Sequence, residues 1–349
     1  MFKVYTLEEE QIWDRIVKSF KKYDTYYLSG YVKAFEIHGD GKPLLFYYQN
    51  EYVRGMNVVM LRDISQNKDF DTKIKKGKYF DIITPYGYGG WLIEGENSEN
   101  LFETYERWCR ENNIISEFVR FHPVIKNHKY CKKNYEIIEL GEVITMDLTS
   151  REGIFENLSS KNRNMVRKAI KNNIKIYNGR FRDIFIKFKE IYDKTMDKDK
   201  ADNYYYFDSK FYESILEDLP DNAQIFYAEY ENKIIAASII LGTNGQLNYH
   251  LSGSEKEFSN LAPTNLLLYK VALWGFENGY KTFYLGGGVG SQEDSLFKFK
   301  KSFYRGENNY RFYIGKKIFN NEIYMMLIEK RKFDEEKKKN SFFPLYRQK

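Results

Sequence analysis

Two rhythms of apolar and polar positions divide the chain into elements. Runs of strand length, apolar throughout or alternating, occur at PLLFYYQ (43–49), NVVMLRDI (57–64) and YFDIITPY (79–86). A helical rhythm over 98–112 predicts a helix that stops at Asn112 and Asn113, and ISEFVRF (115–121) follows as a strand. YEIIEL and VITMDL, within 135–148, close this half with two more strands. Ahead of them, Thr6 and Glu9 have the spacing of a capping box, which predicts a helix running to about Phe20.

The second half opens on a basic helical segment, SSKNRNMVRKAIKNN (159–173), followed by the strand IKIYN and helices over 181–196 and 208–218. After Pro220 the order of the first half returns. Strands AQIFYAEY (223–230), IIAASIIL (234–241) and LNYHLSGS (247–254) precede a helix over 264–278 and the strand KTFYL (281–285). Strand, strand, strand, helix, strand thus occurs twice without residue identity between the copies. The repeat implies an α/β (α+β) protein of two similar domains, 1–149 and 150–317, each a mixed sheet flanked by helices. A last helix is expected over 320–339, ending in EEKKK. Its inner positions Ile323, Met326 and Leu327 suit a segment, about 318–349, that packs back on the first domain.

Composition excludes several classes. Net charge is +6 with both signs interspersed, compatible with a polyanionic ligand but far from the dense basic face of a dedicated nucleic-acid binder. Cys109 and Cys131 have neither zinc-type nor C-x-x-C spacing, which fits a reducing compartment. The start MFKVYTLEEEQ lacks the apolar region of a signal peptide, and the longest apolar run, IIAASIIL, is too short to span a bilayer. A soluble cytoplasmic protein is expected. No nucleophile-elbow or H-E-x-x-H pattern is present, so neither covalent nor metal-dependent catalysis has sequence support. His250 reads as a half-buried histidine.

The glycines of FYLGGGVGSQEDSLFKFKKSF (283–303) suggest a phosphate cradle, but neither template fits. A P-loop needs lysine directly after its last glycine, and Gly290 is followed by Ser291 and Gln292. Counting G-x-G-x-x-G from Gly286 and Gly288 lands on Ser291. The glycines, Gly287 and Gly288 among them, read instead as a flexible connection at a strand end. DSLFKFKKSF follows as a helix in which Leu296, Phe299 and Phe303 form an apolar stripe with Lys300 at its margin. Lys298 and Lys301 point elsewhere. A lysine so placed is either a snorkelling surface residue or a partly desolvated cation suited to negative charge developing in a transition state.

Three further stretches are each read two ways. In YFDIITPYGYGGW (79–91), Tyr86 and Tyr88 belong to a tight packed turn or to a ligand-lining loop at a strand end. Arg163 and Arg167 share one face of the basic helix, as a solvated surface or as an approach for a polyanion. Tyr204, Tyr205 and Tyr206 pack, or supply hydroxyls to a site.

Several stretches, in order and spacing, resemble the FemAB-type aminoacyltransferases of the acetyltransferase-like (GNAT) superfamily. They are YFDIITPYGYGG, VRFHP (119–123), KNRNMVRKAIKNNIKI (161–176), TMDKDKADNYYYF (195–207), SNLAPTNLLLYKVALWGFENGY (259–280), the 283–303 segment and FFPLYR (342–347). The resemblance implies two tandem GNAT-like domains with a substrate cleft along and between them. It implies transfer of an acyl group to an amine of a cell-envelope precursor, peptidoglycan or surface polysaccharide, nucleotide- or lipid-linked, with peripheral approach to a membrane. The co-substrate is aminoacyl-tRNA or acyl-CoA, and no cofactor is held tightly. On this pattern Lys300 stabilises the transition state, and Tyr249, Tyr204 and Tyr205 line the acceptor site. Asp294 is the nearest candidate base.

Two departures from the pattern stand out. The coiled-coil arm of some members is absent, and SNLAPTNLL (259–267) replaces the Q/R-x-x-G-x-G/A pyrophosphate loop of acetyl-CoA users. The alternative is a non-catalytic RNA- or glycan-binding module on the same duplicated fold.

Overall fold

The computed structural model describes residues 1–307, 309–331 and 342–348. Its contacts divide the chain into two compact units, Met1–Leu140 with Phe312–Lys349, and Gly141–Arg311.

The first unit contains β1 (Phe2–Tyr5), α1 (Glu10–Ser19), α2 (Ser29–His38), β2 (Lys42–Gln49), β3 (Val53–Asp63) and β4 (Phe80–Ile83). β5 (Leu92–Gly95), α3 (Glu99–Glu111), β6 (Ile114–Arg120) and β7 (Glu136–Glu142) follow. Thr6 does not open α1 directly. Its hydroxyl accepts from the amide of Glu8, two residues on, which closes a single tight turn, and the α-helix starts at Glu10. β1 to β4 form an antiparallel meander, and α3 carries the chain over to β6, which lies parallel to β4. The core is aromatic: Phe46, Trp91, Phe102 and Tyr105 are buried around Glu117, whose carboxylate accepts from Tyr105, Tyr135 and Asn57.

The second unit comprises β8 (Ile144–Asp147), α4 (Arg151–Glu156), α5 (Ser160–Lys171), β9 (Lys175–Gly179), α6 (Arg182–Asp199) and α7 (Ser209–Asp218). It continues with β10 (Ala223–Tyr230), β11 (Lys233–Thr243), β12 (Gln246–Ser254), α8 (Pro263–Glu277), β13 (Thr282–Gly286) and α9 (Ser295–Lys301). The sheet order is β8-β13-β12-β11-β10-β9. The VITMDL strand, read above as the end of the first half, belongs here. Its Ile144–Asp147 pair antiparallel with β13 and cover an edge that would otherwise be open. α8 is apolar around most of its circumference because α4 and α5 pack on one side of it and the sheet on the other.

The chain then forms β14 (Arg311–Ile318) and α10 (Asn321–Arg331). β14 pairs antiparallel with β6, making the order of the first sheet β1-β2-β3-β4-β6-β14-β7, with β5 on β3. Leu327 and Tyr324 of α10 are buried with Ile64, Phe70, Ile115 and Tyr346, and Ile323 and Met326 pack against that cluster. Residues 332–339 of the helix expected over 320–339 lie outside the described residues. The final stretch is clamped: Tyr346 hydrogen-bonds Ser116 at 2.7 Å, and the Arg347 guanidinium sits 2.5 Å from the Asp81 carboxylate. Arg62 grips the same carboxylate at 2.7 Å.

The meander-helix-parallel-strand unit is thus built twice, β2-β3-β4-α3-β6 and β10-β11-β12-α8-β13. Among the described residues no hairpin arm interrupts the second unit, whose longest helix, α6, has 18 residues.

Candidate functional site

In the second unit the parallel pairing of β12 with β13 is short. It covers Gln246↔Thr282, Leu247↔Phe283 and Asn248↔Tyr284, and then the strands separate. Both continue on their outer partners, β12 with β11 as far as Ser254 and β13 with β8 as far as Gly286. A β-bulge helps to open the pair. Ile239 faces Leu251 and Ile240 faces Tyr249, so His250 is the extra residue that bends β12 at the point of parting. Such a parting exposes strand-end backbone that neither strand satisfies, a natural place for a ligand.

The glycine segment and α9 form one wall of this opening. Asp294 caps α9, its carboxylate accepting the amides of Phe297 at 2.8 Å and Val289 at 3.1 Å. Those two bonds, aided by the nearby Lys300 charge, hold its carboxyl below the usual carboxylate range, which makes Asp294 a weak proton acceptor. The cap also sets the phase of the helix. Phe297 and Phe303 are buried, Phe299 packs edge-on to Phe303 at 5.2 Å, and Leu296 is exposed. The stripe read from spacing is therefore shifted by one residue at its start, from Leu296 to Phe297.

On this helix Lys300 turns back toward the strand end, and its ammonium donates to the Gly287 carbonyl at 2.8 Å. Burial pushes its pKa down to about 8, against the opposing pull of the Asp294 charge. The amine also faces Gly286, which has φ +86°. A methyl group there would lie 3.2 Å from Lys300 Nζ and 3.9 Å from Tyr284 Oη, so the missing side chain leaves a gap flanked by an ammonium and a phenol. Gly288 is needed for a different reason. A Cβ would fall 2.0 Å from the Gln292 carbonyl oxygen and 2.4 Å from the Asp294 carboxylate. Across the parting, the half-buried Tyr249 hydrogen-bonds Ser238 and Ser252, which bond each other at 2.9 Å. Burial pushes the Tyr249 phenol up. Burial likewise pushes His250 down to about 3, leaving a neutral, feebly basic imidazole.

The structure thus brings Lys300, Asp294, Gly287 and Gly288 together on one wall and puts Tyr249 on the strand that parts from β13. The other residues singled out by sequence have different settings. Arg163 folds onto the Glu156 and Leu158 carbonyls at the end of α4, and Arg167 lies 5.4 Å over the Phe155 ring. Tyr204 and Tyr205 pack edge-on in a turn after α6, with Tyr204 also against Phe207. Tyr86 and Tyr88 belong to the first unit. Tyr86 stacks on Phe35, and Tyr88 packs against Tyr26, His122 and Phe312. Beneath them His122 Nδ1 accepts the Ile125 amide, which leaves Nε2 to donate to Asp24 at 2.8 Å.

Tyr284, Gly286 and the Ser238–Ser252 pair were missed in the sequence. Tyr284 and Gly286 lay inside an evident strand and glycine run, but which way each faces depends on register. The two serines are neighbours only across strands.

Cys109 and Cys131 are both buried, which raises their thiol pKa values and keeps them protonated. Among the described residues no group of three or more His, Cys, Asp or Glu side chains is arranged to hold a metal ion. Nor is any described helix long and apolar enough to cross a membrane. For a phosphate-bearing co-substrate the second unit offers the start of α8, where Ala262 at φ +57° provides no side-chain cap and Pro263 follows.

Residues 160–301 match the family model of the acetyltransferase (GNAT) domain. The matched span runs from α5 to the end of α9 and so contains the parting strands and Lys300. The fold of the whole chain is similar to that of FemX, with TM-score 0.67 at 13% identity, covering 93% of this chain and 99% of that one. It is also similar to L-PGS from Bacillus licheniformis, with TM-score 0.53 at 15% identity over 85% of this chain and 90% of that one. A tandem GNAT protein from the clavulanic acid biosynthesis pathway has TM-score 0.52 at 6% identity, over 92% and 98% of the two chains. No curated protein matches the sequence. At these identities the likenesses establish a tandem GNAT-type α/β fold, the one expected from the repeated order of elements.

Proposed function

We propose that the protein is an N-acyltransferase whose reaction centre is the parting of β12 and β13. An acceptor amine attacks the carbonyl of an activated ester or thioester directly, forming the new C–N bond while the donor oxygen or sulfur leaves. The observation that carries this reading is the Lys300 ammonium. One of its three N–H donors holds the Gly287 carbonyl, and the other two are available to negative charge on the oxyanion or leaving atom. At neutral pH an amine with a pKa near 8 is mostly charged, and its partial desolvation strengthens its pull on that charge. Asp294 acts in this reading as a positioning residue, because its carboxylate is engaged with α9. The proton released by the attacking amine passes to water, directly or relayed through the Tyr284 or Tyr249 hydroxyl, which gives up its own proton as it accepts one.

The fold shared with FemX and L-PGS supports a cell-envelope precursor as acceptor, an amino sugar or a peptide-bearing intermediate. The donor is aminoacyl-tRNA or acyl-CoA. The experiment that tests this offers the purified protein charged tRNA and acetyl-CoA side by side, with an amino-sugar or peptidoglycan-precursor acceptor, and follows which donor is consumed. Consumption of either donor dependent on acceptor is the expected outcome. If neither is consumed and the protein binds RNA or glycan with strong salt dependence, it is a binding module instead.

A further inference from the structure

A second concavity lies in the same unit at the other end of α8, where the helix stops and β13 begins. It is a cavity of about 240 Å³ between the last turn of α8 and the starts or ends of β10, β11 and β12. The Lys300 group stands at the opposite end of β13. One wall is aromatic: Trp274 and Tyr280 stack at 5.7 Å, with Phe226 edge-on to the indole at 5.3 Å. Ile240, Leu247 and Gly242 extend the apolar part, and the polar lining is three amides, Asn222, Gln224 and Asn278, with the Asp221 carboxylate.

The amides are oriented by the fold. Asn222 Nδ2 donates to the Gly242 carbonyl at 2.9 Å, Gln224 Oε1 accepts from Asn178 at 2.7 Å, and Asn278 Nδ2 donates to the Trp274 carbonyl at 2.8 Å. Each bond uses one end of the amide and fixes the other. Asn222 Oδ1, Gln224 Nε2 and Asn278 Oδ1 therefore remain, among the described residues, as two acceptors and a donor of set direction. Tethered amides lose little freedom when a ligand binds, so their bonds act mainly in its favour.

We infer that this pocket binds a single neutral sugar ring. The alternation of an apolar wall with fixed donors and acceptors matches a pyranose, whose C–H face packs on aromatic rings while its hydroxyls both give and accept hydrogen bonds. The size agrees, since drug-sized ligands fill about 300–1,000 Å³ and this cavity is smaller, room for one ring. No lysine or arginine is among the described residues lining the pocket to hold a phosphate, and the one charged lining group, the exposed Asp221, is a carboxylate that the nearby Arg180 partly offsets. The site is separate from the proposed reaction centre and does not depend on that reading. It gives the protein a means of staying on a glycan independently of catalysis.

The pocket holds the one tryptophan of the second unit; Trp13, Trp91 and Trp108 lie in the first. The full chain is titrated with methyl α-glucopyranoside, with N-acetylglucosamine and with inorganic phosphate, reading tryptophan emission and saturation-transfer NMR. Saturable binding of at least one sugar and none of phosphate is expected, with the emission change lost in Trp274→Phe. Gln224→Ala and Asn278→Ala are each expected to weaken binding about five-fold or more, leaving acyl-transfer turnover unchanged. No saturable response to either sugar overturns the inference. So does preference for phosphate, or sugar affinity unchanged in both amide variants.

Discussion

Lys300 is a cation held where water is scarce, and that makes two effects of its removal opposite in sign. Its pKa is lowered in the fold, so the folded state disfavours the charged form. This costs stability below about pH 8 and is relieved as pH rises toward the ordinary lysine value. Lys300→Met is therefore expected to be more stable than wild type at pH 7, by about 1–2 kcal/mol once solvent access is allowed for, while losing acyl transfer. Thermal melts at pH 7 and pH 10.5 check this, with the difference shrinking at the higher pH. Lys300 was legible in the sequence only as a lysine beside an apolar stripe. Its bond to Gly287 and the converging Tyr284 were not, because the glycines do not announce the turn that brings α9 back over the strand end.

At the scale of elements, the site depends on how α9 is started. Asp294→Asn keeps a good capping group, whereas Asp294→Ala leaves the amides of Phe297 and Val289 without their acceptor and loosens the start of the helix. If Asp294 positions rather than accepts protons, Asp294→Asn retains most turnover and Asp294→Ala loses most of it. Equal inactivity of the two variants would make the carboxylate itself the base. Gly288→Ala is expected to be the more damaging change to the loop, since its Cβ overlaps both the Gln292 carbonyl and the Asp294 carboxylate. Loss of turnover with far-UV circular dichroism unchanged is the predicted result. The strands and helices were mostly evident from period and breakers. β1, β5, β14 and α4 were not, nor was α2, which opens on Ser29 and Gly30 rather than on a strong helix former. The capping box misplaced the start of α1 because a threonine can close a tight turn as well as a helix.

At the scale of the whole molecule, the repeated order of elements carried the fold, since a meander followed by a helix and a parallel strand admits few arrangements. Sheet membership at the junction was harder. β7 and β8 are adjacent in sequence and alike in pattern, yet pair in different sheets, which only long-range partners decide. The end of the chain matters for the first unit. Burial pushes the Asp81 carboxyl up, but Arg347 and Arg62 more than offset this and hold it low, so its contribution to stability is present near neutrality and lost as pH falls through the acid range. Arg347→Ala is expected to lower the stability of that unit by about 3 kcal/mol, with a smaller acid dependence in denaturant melts. The measurement that bears most directly on the proposed chemistry is kcat/KM for acyl transfer across pH 6–10 in wild type, Lys300→Arg and Lys300→Met. Activity that falls above about pH 8 in wild type, persists to higher pH in Lys300→Arg, and is at least about a hundred-fold lower throughout in Lys300→Met is the predicted result. A folded Lys300→Met protein that turns over at the wild-type rate would contradict it.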